Sequence, residues 1–461
     1  MLKKYKIEIF IFVLALVLRL AVVGLVSVQE DINFSQFAQS RTADGYYEIA
    51  YNMVHNNIYS HKINTPIIST SIRTPGYPLI IALFIYFFKS IWLLLIIQII
   101  IGSLLPLLGR KISINITNNN KVSNLVGVLL AIEPMGIWLS LMILSETFYT
   151  FFLFLFILII FKFLRMNKDK GSLDYKITAL AGAILGIATL IRPTTYYLPL
   201  ILLVAWAMYR FWTKQKILLK QIIIFLATFI IILSPWLYRN YRVFGVASLS
   251  SLPQDVLFCY LAPSVLAVKN NQEFTQAQTE FFNSNGVFNF PTTSLSNAGI
   301  YQGYAIDTLK QNKLELIQIS GISLLTFFTH DGVLNIMSMV DVVDTGGLTI
   351  RQMIAQPLPE MIKTAKKLFL SPVFFVLLGR IFWTLIAILF FISIICAFIK
   401  KRFTTISAFA LIFTFYFALT TISNGFAVNA RFRFPVNVFI LTFAISLIYD
   451  IINARKYKLL K

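Results

Sequence analysis

Charged residues are scarce in this chain of 461 residues, since Asp, Glu, Lys and Arg together make up only 13% of it. A soluble globular domain usually carries roughly 25%. Hydrophobic residues make up 58% of the chain and recur in long stretches. A bilayer requires about 20 mostly apolar residues per helix, because backbone amides must be paired within the segment. The scarcity of charge excludes a soluble protein and predicts an all-α polytopic membrane protein.

Negative charge is scarcer than positive charge, with 19 Asp and Glu against 40 Lys and Arg and a net charge of +21. A basic chain can bind nucleic acid, but no nucleic-acid recognition module accompanies this charge. Many of the basic residues stand in short clusters beside apolar runs, which is typical of the cytoplasmic loops of membrane proteins. We therefore expect membrane lipids as partners and no nucleic acid.

Cysteine and histidine are also rare, with two and three copies. Two cysteines are too few for a disulfide framework. The predicted topology also places Cys259 and Cys396 toward opposite sides of the membrane. The histidines His55, His61 and His330 show no spacing typical of metal ligands, so we expect them in loops or at the interface.

The apolar runs predict about ten membrane spans with both chain ends in the cytoplasm. The first run resembles a signal peptide, but no small-residue cleavage site follows it, so we expect an uncleaved helix. The run 77–88 is too short to cross a bilayer, and placing it at the outer interface keeps the basic loops inside. The predicted spans are 7–28, 90–109, 122–142, 146–164, 177–191, 195–211, 217–238, 372–398, 403–422 and 433–451.

These spans divide the chain into three predicted parts. Residues 1–238 form an N-terminal transmembrane module, whose first outer loop, 29–89, carries several charged residues. Residues 239–371 form an extracytoplasmic cap segment rich in Asn, Gln, Ser and Thr, with an interfacial helix predicted at 314–328. Residues 372–461 form the C-terminal transmembrane helices. We find no inverted repeat of interrupted helices, a pattern that many secondary transporters show.

Unusual polar residues collect at the predicted outer ends of the spans. A charged group inside the bilayer costs about 3 kcal/mol, and placement at the ends of the spans avoids that cost. All of these residues are also predicted at the same face of the membrane. An isolated interfacial arginine can extend to lipid phosphates, but several together suit an anionic, lipid-anchored substrate, because the guanidinium matches two phosphate oxygens. The residues are Arg41, Asp44, Glu48, Arg73, Glu133, Glu146, Arg192, Arg239, Arg431 and Arg433.

Six short motifs occur in an order that resembles the polyprenyl-phosphate-sugar-dependent membrane glycosyltransferases of the GT-C superfamily. The nearest branch is that of the protein O-mannosyltransferases and the lipid A aminoarabinose transferase. The resemblance covers most of the chain and is weak over 245–370. The motifs are 44–50, 73–78, 145–146, 191–193, 234–241 and 431–435.

The resemblance implies that Asp44 is the catalytic carboxylate. Transfer from a lipid-phosphate sugar requires a base for the acceptor proton, which a carboxylate can supply. The alternative is that Asp44 caps the helix that follows it. Relatives often carry a second carboxylate directly after the aspartate, whereas this chain has Gly45. That departure leaves open whether Glu48 or Glu146 assists.

The resemblance also implies a substrate-binding set. Arg73 stands where relatives present a basic residue to the donor phosphate. Two roles remain open for Glu146, namely binding a divalent metal ion or the acceptor, and capping its own helix. Some relatives use such a metal ion to bridge carboxylates and phosphate. The predicted substrate-binding residues are Arg73, Glu146, Arg192, Arg239, Arg431, Arg433, Glu48 and Tyr77.

The function implied by the resemblance is sugar transfer at the extracytoplasmic face of the cell membrane. The donor is a polyprenyl-phosphate-linked sugar, the acceptor is a lipid, a glycan or a protein, and the expected mechanism is a single inverting displacement. The alternatives are a polymerase or ligase of lipid-linked saccharides, and a transporter. A transporter should carry ionisable residues near the middle of its spans, and apart from Arg19 the predicted spans have almost none.

Overall fold

The computed structural model describes residues 5–63, 66–169, 175–212, 219–287, 294–341, 372–400 and 403–459. Over these ranges the protein is helical, apart from turns, loops and one isolated β-bridge between Thr42 and Ile143. The helices of the first half are α1 (Lys6–Gln29), α2 (Phe34–Ser40), α3 (Tyr46–His55), α4 (Gly76–Phe88), α5 (Trp92–Thr117), α6 (Asn120–Ile132), α7 (Pro134–Leu141), α8 (Glu146–Asp169), α9 (Tyr175–Ile191), α10 (Leu198–Trp212) and α11 (Leu219–Phe244).

The second half of the chain continues with shorter helices and ends with long ones. A π-helical turn, Leu257–Leu261, separates the first two of them. The helices are α12 (Leu252–Val256), α13 (Ala262–Lys269), α14 (Phe274–Ser284), α15 (Ala298–Gln311), α16 (Lys313–Thr329), α17 (Val333–Met339), α18 (Val373–Ile399), α19 (Thr405–Thr421), α20 (Ala430–Arg433) and α21 (Asn437–Leu459).

The prediction of an all-α protein with several membrane spans is confirmed for the described residues. Seven helices are long and apolar enough to cross a membrane, and the bent pair α6 and α7 adds an eighth if it counts as one span. The count of ten is not confirmed, because α9 and the helical stretch 193–208 are apolar but shorter than a full span. The helix α4 is also short, as the sequence predicts.

Helix α5 lies at the centre of the bundle and packs against α1, α6, α7, α8 and α21. Its buried residues include Gly102 and Gly109, where a side chain would collide with Ser140 and Leu130 respectively. Small residues allow membrane helices to approach closely. By contrast, less than a third of the most apolar stretch of α1 is buried inside the protein, and the same is true of α18. These two helices therefore present broad apolar faces outward.

The bend between α6 and α7 measures 50° and falls at Glu133, directly before Pro134. A residue before proline favours an extended backbone, and Glu133 adopts one, with φ −66° and ψ 120°. Its side chain then caps α7 by accepting a hydrogen bond from the amide of Gly136 at 2.5 Å. Buried Arg19 supports the same turn by donating to Ser140 Oγ at 2.8 Å and to the Gly136 carbonyl at 3.2 Å.

A buried glutamine fixes the chain that leaves α7. Gln98 lies inside α5, where its amide nitrogen donates to the carbonyls of Leu139 and Ser140, each at 3.3 Å, and to that of Met142. The Tyr77 hydroxyl donates to Gln98 Oε1 at 2.8 Å and so orients the amide. The segment that precedes α8 is therefore held in place by two polar side chains of the apolar core.

The first outer loop is attached to that same segment. The amide of Ile143 donates to the carbonyl of Arg41 at 2.8 Å, next to the bridge with Thr42. The Tyr46 hydroxyl lies 3.1 Å from Ser145 Oγ. These contacts bring the loop residues at 41–46 beside the start of α8.

The described part of 239–371 consists mainly of α12 to α17. The helix expected at 314–328 is present as α16, and its position relative to the membrane stays a prediction. Residues 342–371 lie outside the described residues. The division into three parts likewise stays a prediction.

Candidate active site

Asp44 lies in a left-handed turn between the Thr42 bridge and α3, with φ +60°. This backbone region is uncommon for residues other than glycine, but aspartate tolerates it. Gly45 follows with φ +74° and is the N-cap residue of α3, so Asp44 does not cap that helix. The capping alternative is therefore wrong, and the Asp44 carboxylate is directed to other partners.

The conformation of Gly45 also explains the departure from the two-carboxylate pattern. A Cβ at this position would lie 3.7 Å from the Cβ of His61, which is ordinary contact. The positive φ, rather than a lack of space, is what favours glycine here.

Two arginines from distant parts of the chain hold the Asp44 side chain. Arg431 Nη2 donates to Asp44 Oδ2 at 2.6 Å, and Arg73 Nη2 lies 3.6 Å from Asp44 Oδ1. Arg73 Nε also donates to the Asp44 carbonyl at 3.1 Å. Burial alone would raise the pKa of Asp44, but Arg431 and Arg73 outweigh it and hold the pKa at about 2. Asp44 is therefore ionised throughout the physiological range.

The second carboxylate of the site opens α8. Glu146 Oε1 accepts hydrogen bonds from Arg192 Nη1 and from Arg431 Nε, and its side chain is 2% exposed. Glu146 Oε2 is buried and makes no hydrogen bond to the part of the chain that the structure describes. Arg431 therefore bridges Asp44 and Glu146, which come from separate segments of the chain.

Backbone contact sets the position of Arg192. A Cβ on Gly76 would lie 2.7 Å from the Ile191 amide nitrogen and 2.8 Å from the Leu190 carbonyl oxygen, so only glycine allows α4 to approach α9 this closely. The contact connects the residue three positions after Arg73 to the residue directly before Arg192. The two guanidinium groups are therefore carried by one rigid junction.

We call Asp44, Arg73, Glu146, Arg192 and Arg431 the arginine–carboxylate cluster. Three positive and two negative side chains leave it with one net positive charge. The three arginine side chains are 18–21% exposed, and Asp44 is 27% exposed, so all four remain reachable from outside. The cluster can accept one further negative charge.

A cavity of about 340 Å³ adjoins the cluster. Its polar lining includes Glu146, Arg192 and Arg431, and α12 contributes Leu252, Pro253 and Val256. The rest is mostly aromatic, apolar or hydroxyl-bearing, and comes from α8, from the turn after α9, from α19 and the turn after it, and from α20 and the residues directly after it. Most ligand sites combine an apolar wall with a few convergent polar groups in this way.

The structure does not bring all predicted site residues into the cluster. Arg239 donates to the Thr70 carbonyl at 3.0 Å and lies over the rings of Trp236 and Tyr59, at 4.8 and 5.2 Å. Glu48 lies in the first turn of α3 and makes no ion pair within the described ranges.

Arg433 and Tyr77 are fully buried and have internal partners. Tyr77 orients Gln98, as described above. Arg433 lies over the ring of Trp383 at 3.6 Å and connects the end of α16 to the start of the last span. Its guanidinium donates to Asn437 Oδ1 at 2.8 Å and to the carbonyls of Phe327, Phe328 and His330 at 2.9, 2.7 and 2.6 Å.

The donor set of the cluster does not fit a divalent metal ion. Among the described residues no group of three or more His, Cys, Asp or Glu side chains converges as metal ligands would. The two carboxylates that do converge, Asp44 and Glu146, are each engaged by guanidinium groups. We therefore derive no step of the chemistry through a metal.

Sequence reasoning missed Gln98 and Tyr46, which support the site. Gln98 offered a signal, because a lone amide in a long apolar span is costly unless it is paired. Tyr46 offered none, since its contacts with Ser145 and the Tyr77 ring, at 3.1 and 5.1 Å, depend on the packing of separate segments.

No family model and no curated protein sequence matches this chain. Two crystal structures of ArnT from Cupriavidus metallidurans are similar to it. The apo structure aligns at 12% identity and a TM-score of 0.34, covering 93% of this chain and 77% of ArnT. The structure bound to undecaprenyl phosphate aligns at 14% identity and a TM-score of 0.35, covering 94% and 77%. Likeness of this degree does not establish a shared activity.

Proposed function

We propose that this protein is a membrane glycosyltransferase of the GT-C superfamily. It moves a sugar from a polyprenyl-phosphate carrier to an acceptor at the extracytoplasmic face. The observation that carries the proposal is the arginine–carboxylate cluster, in which Asp44 and three arginines meet beside a largely apolar cavity. The order of the six sequence motifs supports the same assignment.

The charge of the cluster suits this donor. A sugar joined to a lipid through one phosphate is a phosphodiester with a single negative charge, and the cluster has one net positive charge. Arg73, Arg192 and Arg431 are the groups that we assign to the phosphate, because the guanidinium matches two of its oxygens. Phosphate binding draws Arg73 and Arg431 from Asp44, which lets the pKa of Asp44 rise toward that of a useful base.

The reaction proposed is one displacement at the anomeric carbon. The acceptor hydroxyl or amine attacks that carbon and gives its proton to Asp44. The bond from carbon to phosphate oxygen breaks, and the electron pair leaves with the polyprenyl phosphate, whose added charge the three arginines stabilise. Attack and departure from opposite faces invert the anomeric configuration.

Glu146 is assigned a positioning role rather than a basic one. Its Oε1 already accepts from Arg192 and Arg431, and its side chain is 2% exposed, so an acceptor proton has little access to it. Arg239, Arg433 and Tyr77 are assigned to the support of loops and helices, on the contacts given above. Glu48 stays a predicted substrate-binding residue that assists Asp44, which lies about one helical turn before it in sequence.

The identity of the acceptor distinguishes a glycosyltransferase that adds one sugar from the main alternative. A polymerase or ligase of lipid-linked saccharides would use the same cluster and the same type of donor, but would transfer a chain or extend one. Mass spectrometry of cell-envelope lipids, glycans and glycoproteins, with the wild-type gene and with Asp44→Asn, would identify the acceptor. We expect loss of one monosaccharide substituent in the mutant. An unchanged envelope would contradict the proposal.

Stereochemistry tests the mechanism separately. NMR of the anomeric linkage in donor and product should show inversion, because a retaining double displacement needs a nucleophile beneath the anomeric carbon and a second group that serves as acid and base. Retention of configuration, or a sugar trapped on Asp44 or Glu146, would falsify the single displacement.

The assignment to the outer face rests on the basic loops and has its own test. A reporter inserted near Asn285 should lie outside the cell, and reporters after Lys170 and Lys461 should lie in the cytoplasm; these two sites are outside the described residues. If Asn285 and Lys170 were found on one side, the face assigned to the active site would be wrong.

A further inference from the structure

Three buried oxygen atoms lie unpaired in α12 and just before it. Ser250 Oγ, Gln254 Oε1 and Asp255 Oδ1 make no hydrogen bond to the described residues, and none of the three was a predicted site residue. Ser250 is 2% exposed and Asp255 is 9% exposed. Buried polar atoms are almost always paired, so three within six residues require an explanation.

The segment is held against the loop that carries Arg73. The Ser251 amide donates to the Ser71 carbonyl at 3.0 Å, and the Ser71 hydroxyl donates to Ser251 Oγ at 3.3 Å. The Leu295 amide donates to Ser71 Oγ at 2.9 Å. The segment that carries the unpaired oxygens is therefore bound to the loop of Arg73, one of the arginines assigned to the donor phosphate.

Electrostatics indicates the same proximity. Burial raises the pKa of Asp255 to about 8, and the charge of Arg73 acts in the opposite direction. Arg73 thus reaches Asp255 electrostatically but does not form an ion pair with it in the described structure. The carboxyl group is buried without a charged or hydrogen-bonding partner for its Oδ1 atom.

Helix α12 also borders the cavity of the cluster. Leu252, Pro253 and Val256 line that cavity together with Arg192 and Arg431. The same short helix that lines the cavity with these apolar residues therefore also carries the unpaired oxygens of Gln254 and Asp255, which lie next to the lining residues in sequence but do not themselves line the cavity.

The three parts of the sugar donor, namely lipid, phosphate and sugar, differ in whether they can form hydrogen bonds with these oxygens. The Gln254 amide oxygen only accepts hydrogen bonds, whereas a hydroxyl such as that of Ser250 and the protonated carboxyl group of Asp255 can also donate them, so the best match is a group that both donates and accepts. The polyprenyl chain has no polar atoms, and an ionised phosphodiester has only acceptors and so cannot pair with the Gln254 oxygen. The sugar, joined directly to the phosphate, is the part of the donor that carries hydroxyl groups.

We propose that Ser250, Gln254 and Asp255 form a subsite for the hydroxyl or amino groups of the sugar carried by the donor. The proposal rests on the glycosyltransferase function proposed above. It assigns sugar selectivity to α12 and leaves recognition of the phosphate to the arginines. Sites that hydrogen-bond a substrate hydroxyl discriminate strongly against analogues that lack it, because their own polar groups would be left unpaired.

The test compares two ligands on the full-length protein in lipid nanodiscs. One is undecaprenyl phosphate, and the other is the same lipid carrying each of a panel of monosaccharides, from which the best binder is taken. Asp255→Asn should weaken binding of the sugar-carrying lipid at least about tenfold and change binding of the bare lipid less than about twofold. Gln254→Ala, at a partly exposed position, should give a smaller loss with the same selectivity.

Asp307→Asn is the matched control, since Asp307 is an exposed carboxylate on α15. It should leave both affinities unchanged. Asp255→Asn should not lower the melting temperature, because it removes a buried carboxyl group whose Oδ1 is unpaired. Equal weakening for both lipids, or no weakening for either, in Asp255→Asn and Gln254→Ala would overturn the subsite. A wild-type protein that binds neither lipid would instead overturn the glycosyltransferase proposal itself.

Discussion

Arg431 and Arg433 lie two residues apart, and the sequence predicts the same role for both, yet their surroundings are opposite. Arg431 is 19% exposed and contacts two carboxylates, Asp44 and Glu146, from separate segments of the chain. Arg433 is fully buried and donates to three backbone carbonyls and one side-chain amide.

The difference lies in what each guanidinium can exchange. A carboxylate partner can be replaced by a phosphate oxygen, and an exposed arginine can be reached by a ligand. Backbone carbonyls at the end of a helix have no other partner once they are buried, so Arg433 is committed to them. We therefore infer that Arg431 serves ligand binding and Arg433 serves the fold.

The largest expected effect is a loss of stability, and it tests whether Arg433 serves the fold. Arg433→Ala leaves the buried carbonyls of Phe327 and Phe328 without this donor, at a cost of about 1–3 kcal/mol each, and also removes the donor to the partly buried carbonyl of His330. We expect a loss of stability of at least about 3 kcal/mol, seen as a lower melting temperature in detergent and reduced yield. A variant as stable as the wild type would show that Arg433 is not a structural residue.

The next effect concerns the chemistry beside Arg431. Asp44→Asn should reduce transfer at least about a hundredfold, because a general base is lost. Asparagine tolerates the left-handed turn at this position, so the protein should still fold. Turnover of purified protein with polyprenyl-phosphate sugar provides the measurement, and Asp307→Asn is the control. Near-normal turnover in Asp44→Asn would remove Asp44 from the mechanism.

Arg431→Ala tests the ligand-binding half. Loss of a charged hydrogen bond to phosphate should weaken binding of undecaprenyl phosphate by about 1.5–3 kcal/mol, which is roughly tenfold to a hundredfold. Arg431→Lys should restore only part of it, since an ammonium cannot match two oxygens at once. Arg239→Lys, outside the cluster, should change the affinity little. If both Arg431 variants bound the lipid normally, the cluster would not be the phosphate site.

The smallest expected effect is on the pH dependence of stability. The pKa of Asp44 is held at about 2, below its ordinary value of 3.8, so its ion pairs stabilise the fold fully above about pH 4. That stabilisation is lost as the pH falls through the folded-state pKa. The melting temperatures of the wild type and Asp44→Asn should therefore differ at pH 7 and converge toward pH 2. A constant difference would contradict the depressed pKa.

The sequence predicted the cluster better than its surroundings. Asp44, Arg73, Glu146, Arg192 and Arg431 all stand at or near helix ends in recognisable motifs, and the structure brings these five together. The helical class followed from the apolar runs in the same way.

The remaining features depend on contacts between distant segments. The burial of Arg433 comes from residues at 327–330 and from Trp383, and no local pattern near Arg433 reports them. Asp255 lies in a stretch that shows no clear sequence motif. The position of this stretch follows from the hydrogen bonds between Ser251 and Ser71. The number of spans was not settled by the apolar runs, because α9 and the stretch 193–208 are shorter than a bilayer requires.

Gly76 has a consequence for the specificity of the site. It allows α4 and the end of α9 to meet backbone against backbone, on the two segments that carry Arg73 and Arg192. Side chains change rotamer with temperature and with the surrounding lipid, whereas two backbones in contact cannot come closer. The glycine therefore acts as a fixed spacer between the backbones that carry Arg73 and Arg192, so a larger residue at this position would alter the spacing offered to the phosphate that we propose binds there.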